Sequence, residues 1–402
     1  MDWHTRVSIP HKAQYQHDMM TRPYYISSIA LIFIVPALGG LLFGYDIGAT
    51  SFAIVQLGNE QLSGLDSPVT SPVLTGLFVA APSAGALVGS LFVFCIADVI
   101  GRRKELQYGS LLYIAGALLE SFQGGSMAVI LLGRFVYGLG IGFSMHGAPT
   151  YLGEMLPSSI RGALMSLKEV CIVLGILLGY MIGYASSNTV RGWAFTYSMS
   201  LLGSISMFIL SFTIPYSARW LVLKDRPSDA LVAIRFIYHP SVADQEHAYL
   251  VDAISAQTSQ MDHKGIFHPS RRPALTAGIG LVALQQVTGQ PSVLSYATPM
   301  FVSVGLSSYS SVLVALFKLV ATSLAVITVE HYGRKQLLYL GCSLMLVALV
   351  ALSVTFAGTT DALDDNTAKG LTVHSTCILV AMFVYIGGYQ VCEICVSVGF
   401  QF

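Results

Sequence analysis

The sequence DVIGRRK, residues 98–104, is followed much later in the chain by the related sequence EHYGRK, residues 330–335. Each directly follows an apolar stretch that is long enough to cross a lipid bilayer. A repeated acid-x-x-Gly-Arg turn between apolar spans indicates two related halves, and such halves are typical of alternating-access transporters. We therefore predict an all-α integral membrane protein with pseudo-twofold repeated halves.

The composition agrees with a chain that is mostly surrounded by lipid. Of its 402 residues, 54% are hydrophobic and 10% are charged, whereas a soluble domain carries about 25% charged residues. The formal net charge is zero, and the basic residues do not cluster into one binding face, which argues against nucleic acid as a partner. We expect the lipid bilayer as the main partner and infer no obligate protein partner.

Ten apolar segments approach the length of about 20 residues that a crossing helix needs. They lie at 25–50, 73–97, 106–124, 127–149, 163–186, 193–214, 273–300, 310–329, 336–357 and 372–400. Most loop Lys and Arg residues fall on one side of this arrangement, and the other side holds only Arg191 and Lys369. Because positive residues stay in the cytoplasm, we expect a cytoplasmic N-terminus. The pattern does not distinguish the plasma, vacuolar and plastid envelope membranes.

The longest polar insert divides the spans into two groups. It should form short cytoplasmic helices that join the halves. The predicted organisation is a cytoplasmic N-terminus at 1–23, a six-helix half at 24–214, a cytoplasmic linker at 215–272 and an incomplete C-terminal half of about four helices at 273–402.

Five further motifs accompany the two related turns. They are GGLLFGYDIG at 39–48, GRFVYGLGIG at 133–142, PTYLGEMLPSSIRG at 149–162, PYSARWLV at 215–222 and QQVTGQPSVLSY at 285–296. On these motifs the chain resembles the sugar porter family of the major facilitator superfamily, and most closely its plant-type plastid or vacuolar glucose and xylose proton symporters. The resemblance implies the major facilitator fold and alternating-access transport of a monosaccharide, either a hexose or a pentose.

The last residues depart from that family. After Gln390 the family continues with a Gly-Pro-rich break, a tryptophan and two more helices, whereas this chain continues VCEICVSVGFQF. We expect about ten of the twelve family helices, with the C-terminus truncated.

An acid and a base inside two of the apolar spans indicate a proton-coupling site. Asp46 is in the first span and Arg134 is in the fourth. Ionisable residues at this depth are costly and are functional by default. In the symporters that the chain resembles, protonation of the acid at the Asp46 position releases the arginine at the Arg134 position. We therefore predict a proton-coupling pair, with protons as the second transported species.

The seventh span contains three glutamines within six residues, at Gln285, Gln286 and Gln290. A carboxamide both donates and accepts hydrogen bonds, as sugar hydroxyls do, without the free energy needed to bury a charge. Gly289 and Pro291 should also weaken the helix, as in the broken helices of transporter sites. The resemblance implies that the three glutamines contact sugar and that Tyr296 acts as an outer gate.

Two charged residues replace family amides. Glu169 stands where many members carry a sugar-binding Gln, and Lys318 stands where they carry an Asn. We expect both in the substrate site. We also hypothesise that they form an ion pair between the two halves, because an isolated charge at this depth costs several kcal/mol.

A set of charged residues lies at the predicted inner ends of the spans. Acids alternate with bases there, which favours salt bridges that open and close a gate over simple anchoring by positive charge. The predicted cytoplasmic gate comprises Asp98, Arg102, Arg103, Glu154, Arg161, Arg219, Glu330 and Arg334.

Three alternatives to proton-coupled transport remain at this point. The first is a passive sugar uniporter, and the second is a non-transporting sugar receptor or a non-functional truncated product. The third and weakest is a membrane enzyme, because no nucleophile-base constellation, metal-ligand cluster or phosphate loop is evident. We predict no enzymatic activity, no cofactor and no metal.

Overall fold

The computed structural model describes residues 24–65, 69–122, 126–260, 272–332, 334–364 and 368–399, and these are almost entirely helical. The first part contains α1 (Ile26–Leu57), α2 (Glu60–Ser63), α3 (Pro72–Ile100), α4 (Arg102–Ser121), α5 (Met127–Met155), α6 (Ser158–Ala185) and α7 (Gly192–Ser211). Next come α8 (Ala218–Leu223), α9 (Pro227–Ile237) and α10 (Pro240–Gln260). The last part contains α11 (Arg272–Val287), α12 (Gln290–Ser295), α13 (Ala297–Ser303), α14 (Tyr309–Tyr332), α15 (Arg334–Asp364) and α16 (Ala368–Gly399).

Eight helices in the described part of the chain are long and apolar enough to cross a membrane: α1, α3, α5, α6, α7, α14, α15 and α16. Two predicted spans differ from these. The span predicted at 106–124 is α4, which carries several charges at its start and packs against α5 and α7. The span predicted at 273–300 is divided among α11, α12 and α13.

The break in that segment has a local cause. Gly289 adopts φ 73°, which is left-handed backbone that most residues avoid. Pro291, in the first turn of α12, has no N–H to continue the preceding helix. The observed break therefore falls where Gly289 and Pro291 were expected to weaken the helix.

In the first half, α1 and α6 pack backbone against backbone. A Cβ atom at Gly44 would lie 1.9 Å from the carbonyl oxygen of Ile172, and one at Gly175 would lie 2.1 Å from that of Leu41. No side chain fits at either position. The resulting close contact fixes α1, and with it Asp46, against α6.

Hydrogen bonds join the two halves at one end of the bundle. We call it the far end, because it lies opposite the basic end where Arg102, Arg103 and Arg161 are found. At the far end the Tyr180 hydroxyl donates to the carbonyl oxygen of Leu294 (2.6 Å), and the Ser51 hydroxyl donates to Thr298 Oγ1 (2.9 Å). These contacts join α1 and α6 of the first half to α12 and α13, so the far end is closed.

Candidate functional site: a buried ion pair beside a cavity

Asp46 of α1 and Arg134 of α5 form a buried ion pair. The Arg134 Nη1 atom lies 2.6 Å from Asp46 Oδ1, and its Nη2 atom lies 3.4 Å from Asp46 Oδ2. Only 5% of Asp46 and 1% of Arg134 is exposed. The structure therefore brings together the two residues that the sequence singled out for proton coupling.

The guanidinium of Arg134 also donates to three other groups. Its Nη2 atom donates to the hydroxyl of Thr50 (2.7 Å), its Nη1 atom to the hydroxyl of Tyr197 (3.0 Å), and its Nε atom to the carbonyl oxygen of Phe78 (3.1 Å). Planar guanidinium groups bind such fixed acceptors well. Sequence reasoning did not identify Thr50 or Tyr197, whose residue types are ordinary in an apolar span.

A cavity of about 310 Å³ lies directly beside this pair. Pockets for small ligands typically span about 300 to 1,000 Å³. The polar groups facing this cavity come from both halves: Asp46, Thr50, Ser83, Ser90 and Arg134 from the first, and Gln286, Ser292 and Ser295 from the second. The cavity continues past Ser90 and Met145 toward the basic end of α3 and α5.

The three predicted sugar-binding glutamines separate around the helix break. Gln286 lines the cavity. Gln290 is 3% exposed, and its Nε2 atom has no hydrogen-bond partner within the described chain. Gln285 is not part of the cavity wall and lies near Tyr389 of α16 instead. Tyr296 is half-buried at the end of α12 and is not part of the cavity wall.

The expected ion pair between Glu169 and Lys318 is not formed. Glu169 Oε1 lies 2.9 Å from the Nζ atom of its neighbour Lys168, which is itself buried. Lys318 is 2% exposed, and its Nζ atom lies 5.8 Å from the centre of the Tyr389 ring. The expected pair is absent because Lys168, on the same helix turn, already pairs with the Glu169 carboxylate.

Lys318 instead belongs to a second polar cluster, away from the cavity. The acidic neighbours of its ammonium group are Glu393 and Glu169, and Gln390 lies near Glu393. Glu393 lies in the stretch that departs from the family pattern and has no partner that the sequence reveals. Neither Glu169 nor Lys318 is part of the cavity wall.

The contact between Lys168 and Glu169 makes a testable prediction. We expect the destabilising effects of Lys168→Gln and Glu169→Gln to be non-additive by about 1 kcal/mol, because removing either partner already breaks the pair. Lys318→Gln combined with Glu169→Gln should show weaker coupling, because Glu169 acts on Lys318 without forming an ion pair with it. Thermal unfolding in detergent measures both combinations, and equal coupling in the two would contradict the contact.

The predicted gate residues at the basic end mostly bond within the first half. Arg102 lies 2.9 Å from Asp98 and 3.5 Å from Glu154, which links α3, α4 and α5. Arg103 donates to the carbonyl oxygens of Ser211 and Phe212 at the end of α7. Arg161 donates to the carbonyl oxygen of Leu156. These bonds satisfy groups that helix ends leave open.

The PYSARWLV sequence, residues 215–222, also packs at this end. Ser217 caps α8 and donates to Glu154 (2.5 Å), while Trp220 donates to the carbonyl oxygen of Asp98 (2.9 Å). A Cβ atom at Gly101 would lie 2.9 Å from the Trp220 ring. Arg219 is exposed. The side chains of Glu330 and Arg334 lie outside the described residues.

Two buried glutamates were not identified as site residues from the sequence. Glu105 Oε1 lies 2.5 Å from His146 Nδ1, so this histidine has an acidic partner. Glu120 is fully buried, and its Oε1 atom lies 3.9 Å from Arg134 Nη1. The sequence could have indicated Glu120 as a functional residue, because it is an acid near the end of an apolar span.

The fold and this site define a membrane transporter. A family model described as "Sugar (and other) transporter" matches residues 32–398, and the chain belongs to this family. It is a multi-pass membrane protein and a transporter, not an enzyme.

The chain is similar to several known proteins. The "D-xylose-proton symporter-like 3, chloroplastic" of Arabidopsis thaliana is 39% identical over 387 residues, which cover 91% of this chain and 67% of that protein. The "Glucose transporter GlcP" of Staphylococcus epidermidis is 31% identical over 330 residues, covering 81% and 71%. Among solved structures, the partially occluded inward-open xylose transporter XylE from E. coli superposes with a TM-score of 0.77 at 23% identity, covering 93% of this chain and 87% of that one.

Proposed function

We propose that the chain moves a monosaccharide, a pentose or a hexose, across a membrane together with a proton. The observation that carries this proposal is the Asp46–Arg134 pair at 2.6 Å, which forms part of the wall of the cavity between the halves. A proton site and a sugar site that share one cavity can influence each other directly. The names of the xylose-proton symporter-like relatives support the same substrate and ion.

The coupling follows from the charge of Asp46. While Asp46 is ionised, it holds Arg134 by two charge-assisted hydrogen bonds. Protonation of the carboxylate removes the negative charge and weakens both bonds, so α1 and α5 can shift against each other. Because Asp46 and Gln286 face the same cavity, sugar bound there favours one arrangement of the two halves.

The sugar site in this proposal combines amides and hydroxyls from both halves. Gln286, Ser292 and Ser295 face Asp46 and Thr50 across the cavity. The Nε2 atom of Gln290 is a buried donor without an acceptor among the described residues, and a small rotation of α12 would offer it to a sugar hydroxyl. Gln285 and Tyr296 act further from the sugar, at the helix break.

The arrangement described here corresponds to one stage of the cycle. The far end is closed by the contacts of Tyr180 and Ser51, while the cavity extends toward the basic end. We propose that the basic end and the N-terminus are cytoplasmic, so that this is an inward-facing state. In the outward-facing state, the gate residues at the basic end would close against the second half.

Transport by the purified chain in proteoliposomes tests the proposal. We expect labelled D-xylose or D-glucose to accumulate when the outside is acidified, and a protonophore should abolish the accumulation. Sugar that only equilibrates, unaffected by the pH gradient, would support a passive uniporter instead. Binding of sugar without any flux would favour the receptor alternative.

A further inference from the structure

Glu120 lies at the end of α4 with its whole side chain buried. Its exposed fraction is 0%, and within the described chain neither carboxyl oxygen has a hydrogen-bond partner. Among the described residues, the cation closest to Glu120 is the Arg134 guanidinium, with Nη1 at 3.9 Å from Oε1. Gly133, one residue before Arg134, leaves space for the Glu120 side chain, because a Cβ atom at that position would lie 3.0 Å from Glu120 Cγ.

Arg134 therefore lies within reach of two carboxyl groups and is bonded to one. Asp46 is bonded to it, at 2.6 Å, and Glu120 is not, at 3.9 Å. One buried cation balances only one buried anion, and a second unpaired carboxylate would carry a large desolvation penalty. A carboxylate that makes no hydrogen bond is the one that should hold a proton.

The other groups facing Glu120 do not change this balance. Tyr137 of α5 and Tyr197 of α7 are the titratable neighbours from the packed helices, in addition to Arg134 and the Asp46 charge from α1. Both tyrosines are neutral at ordinary pH. The group is a triad of one guanidinium and two carboxyls, Asp46, Arg134 and Glu120.

We propose that Glu120 is a second proton site and the alternative counter-ion of Arg134. In the arrangement observed, Asp46 is ionised and Glu120 carries the proton. In the alternative arrangement the guanidinium turns to Glu120, and the one proton of the triad passes from Glu120 to Asp46, so that Glu120 becomes the anion and Asp46 the neutral acid. The triad thus keeps one bound proton and zero net charge in both arrangements, and Arg134 is never left unpaired.

This inference deepens the proposed function, but its test does not depend on transport. Thermal unfolding in detergent is compared for Asp46→Asn, Glu120→Gln, the double variant and the double variant that also carries Arg134→Met. Each single change should lower the Tm only slightly, because the other carboxylate balances Arg134. The double variant should lose more than the sum of the single shifts, and Arg134→Met should restore most of that loss.

A matched control uses the other buried glutamate of α4. Glu105 is equally buried but pairs with His146, so Asp46→Asn with Glu105→Gln should be additive. Additive shifts for Asp46→Asn with Glu120→Gln would overturn the proposal. The proposal would also be overturned if the double variant that carries Arg134→Met lost as much Tm as the double variant that keeps Arg134. If the triad is non-additive but no sugar is transported, the proposed function fails and the inference stands.

Infrared spectroscopy offers a second measurement that needs no unfolding. The wild-type spectrum should contain the carbonyl stretch of a buried protonated carboxylic acid. That band should disappear in Glu120→Gln, which removes the acid, and also in Asp46→Asn, where Glu120 becomes ionised to balance Arg134. A wild-type spectrum that Glu120→Gln leaves unchanged in this region would contradict the proposal, whereas a band that remains in both variants belongs to another buried acid.

Discussion

Asp46→Asn is expected to abolish acid-driven accumulation of sugar while leaving the exchange of labelled for unlabelled sugar intact. A gradient of one pH unit is worth about 1.4 kcal/mol, which supports about tenfold accumulation when one proton accompanies each sugar. An amide cannot take up the proton, so the ratio of inside to outside sugar should fall to about one. Exchange needs only that the protein alternate between its inward-facing and outward-facing states. The neutral amide of Asn permits this, because it does not hold Arg134 as a charged carboxylate does. Flux measurements in proteoliposomes with and without a pH gradient test both parts.

Glu60→Gln serves as the control for that variant. Glu60 is an exposed acid in the short helix α2, so the Glu60→Gln variant should accumulate sugar like the wild type. If Asp46→Asn still accumulates sugar under a pH gradient, the coupling proton binds elsewhere. If it loses exchange as well, the residue is needed for the movement itself and not for coupling alone.

The sequence was most informative where a charge lies in an apolar span. Asp46 and Arg134 stood out because buried charges are rare and need partners, and the structure places them in contact. The recurrence of DVIGRRK as EHYGRK and the run of family motifs likewise led to the family that the comparisons show. The helix break at Gly289 followed from backbone preferences that belong to the residue itself.

The sequence was less informative about which charges pair. Glu169 and Lys318 were expected to meet because both should face one site, but the choice between Lys168 and Lys318 depends on side-chain directions and helix rotation. The same holds for Gln285, which lies near Tyr389 and is not part of the cavity wall. The spacing of residues along one helix predicts only approximately which face a side chain lies on. It does not predict which side chain of another helix becomes its partner.

Gly44→Ala is expected to destabilise the first half strongly, although it adds only one methyl group. That methyl would lie 1.9 Å from the Ile172 carbonyl oxygen, which is backbone and cannot rotate away. The two helices must separate, and overpacking of this kind costs about 3 kcal/mol. Because α1 also carries Asp46, its displacement should weaken the bond to Arg134. We expect less folded protein on size-exclusion chromatography and a clearly lower Tm in detergent.

Gly76→Ala provides the matched comparison. Gly76 also lies within a long helix, α3, but a Cβ atom there would meet nothing within 4 Å. Alanine is the better helix former, by about 1 kcal/mol per residue, so this variant should be as stable as the wild type or slightly more stable. A similar Tm for the two variants would mean that α1 and α6 do not pack as closely as described. The close packing of α1 on α6 would then no longer account for the position of Asp46 beside Arg134.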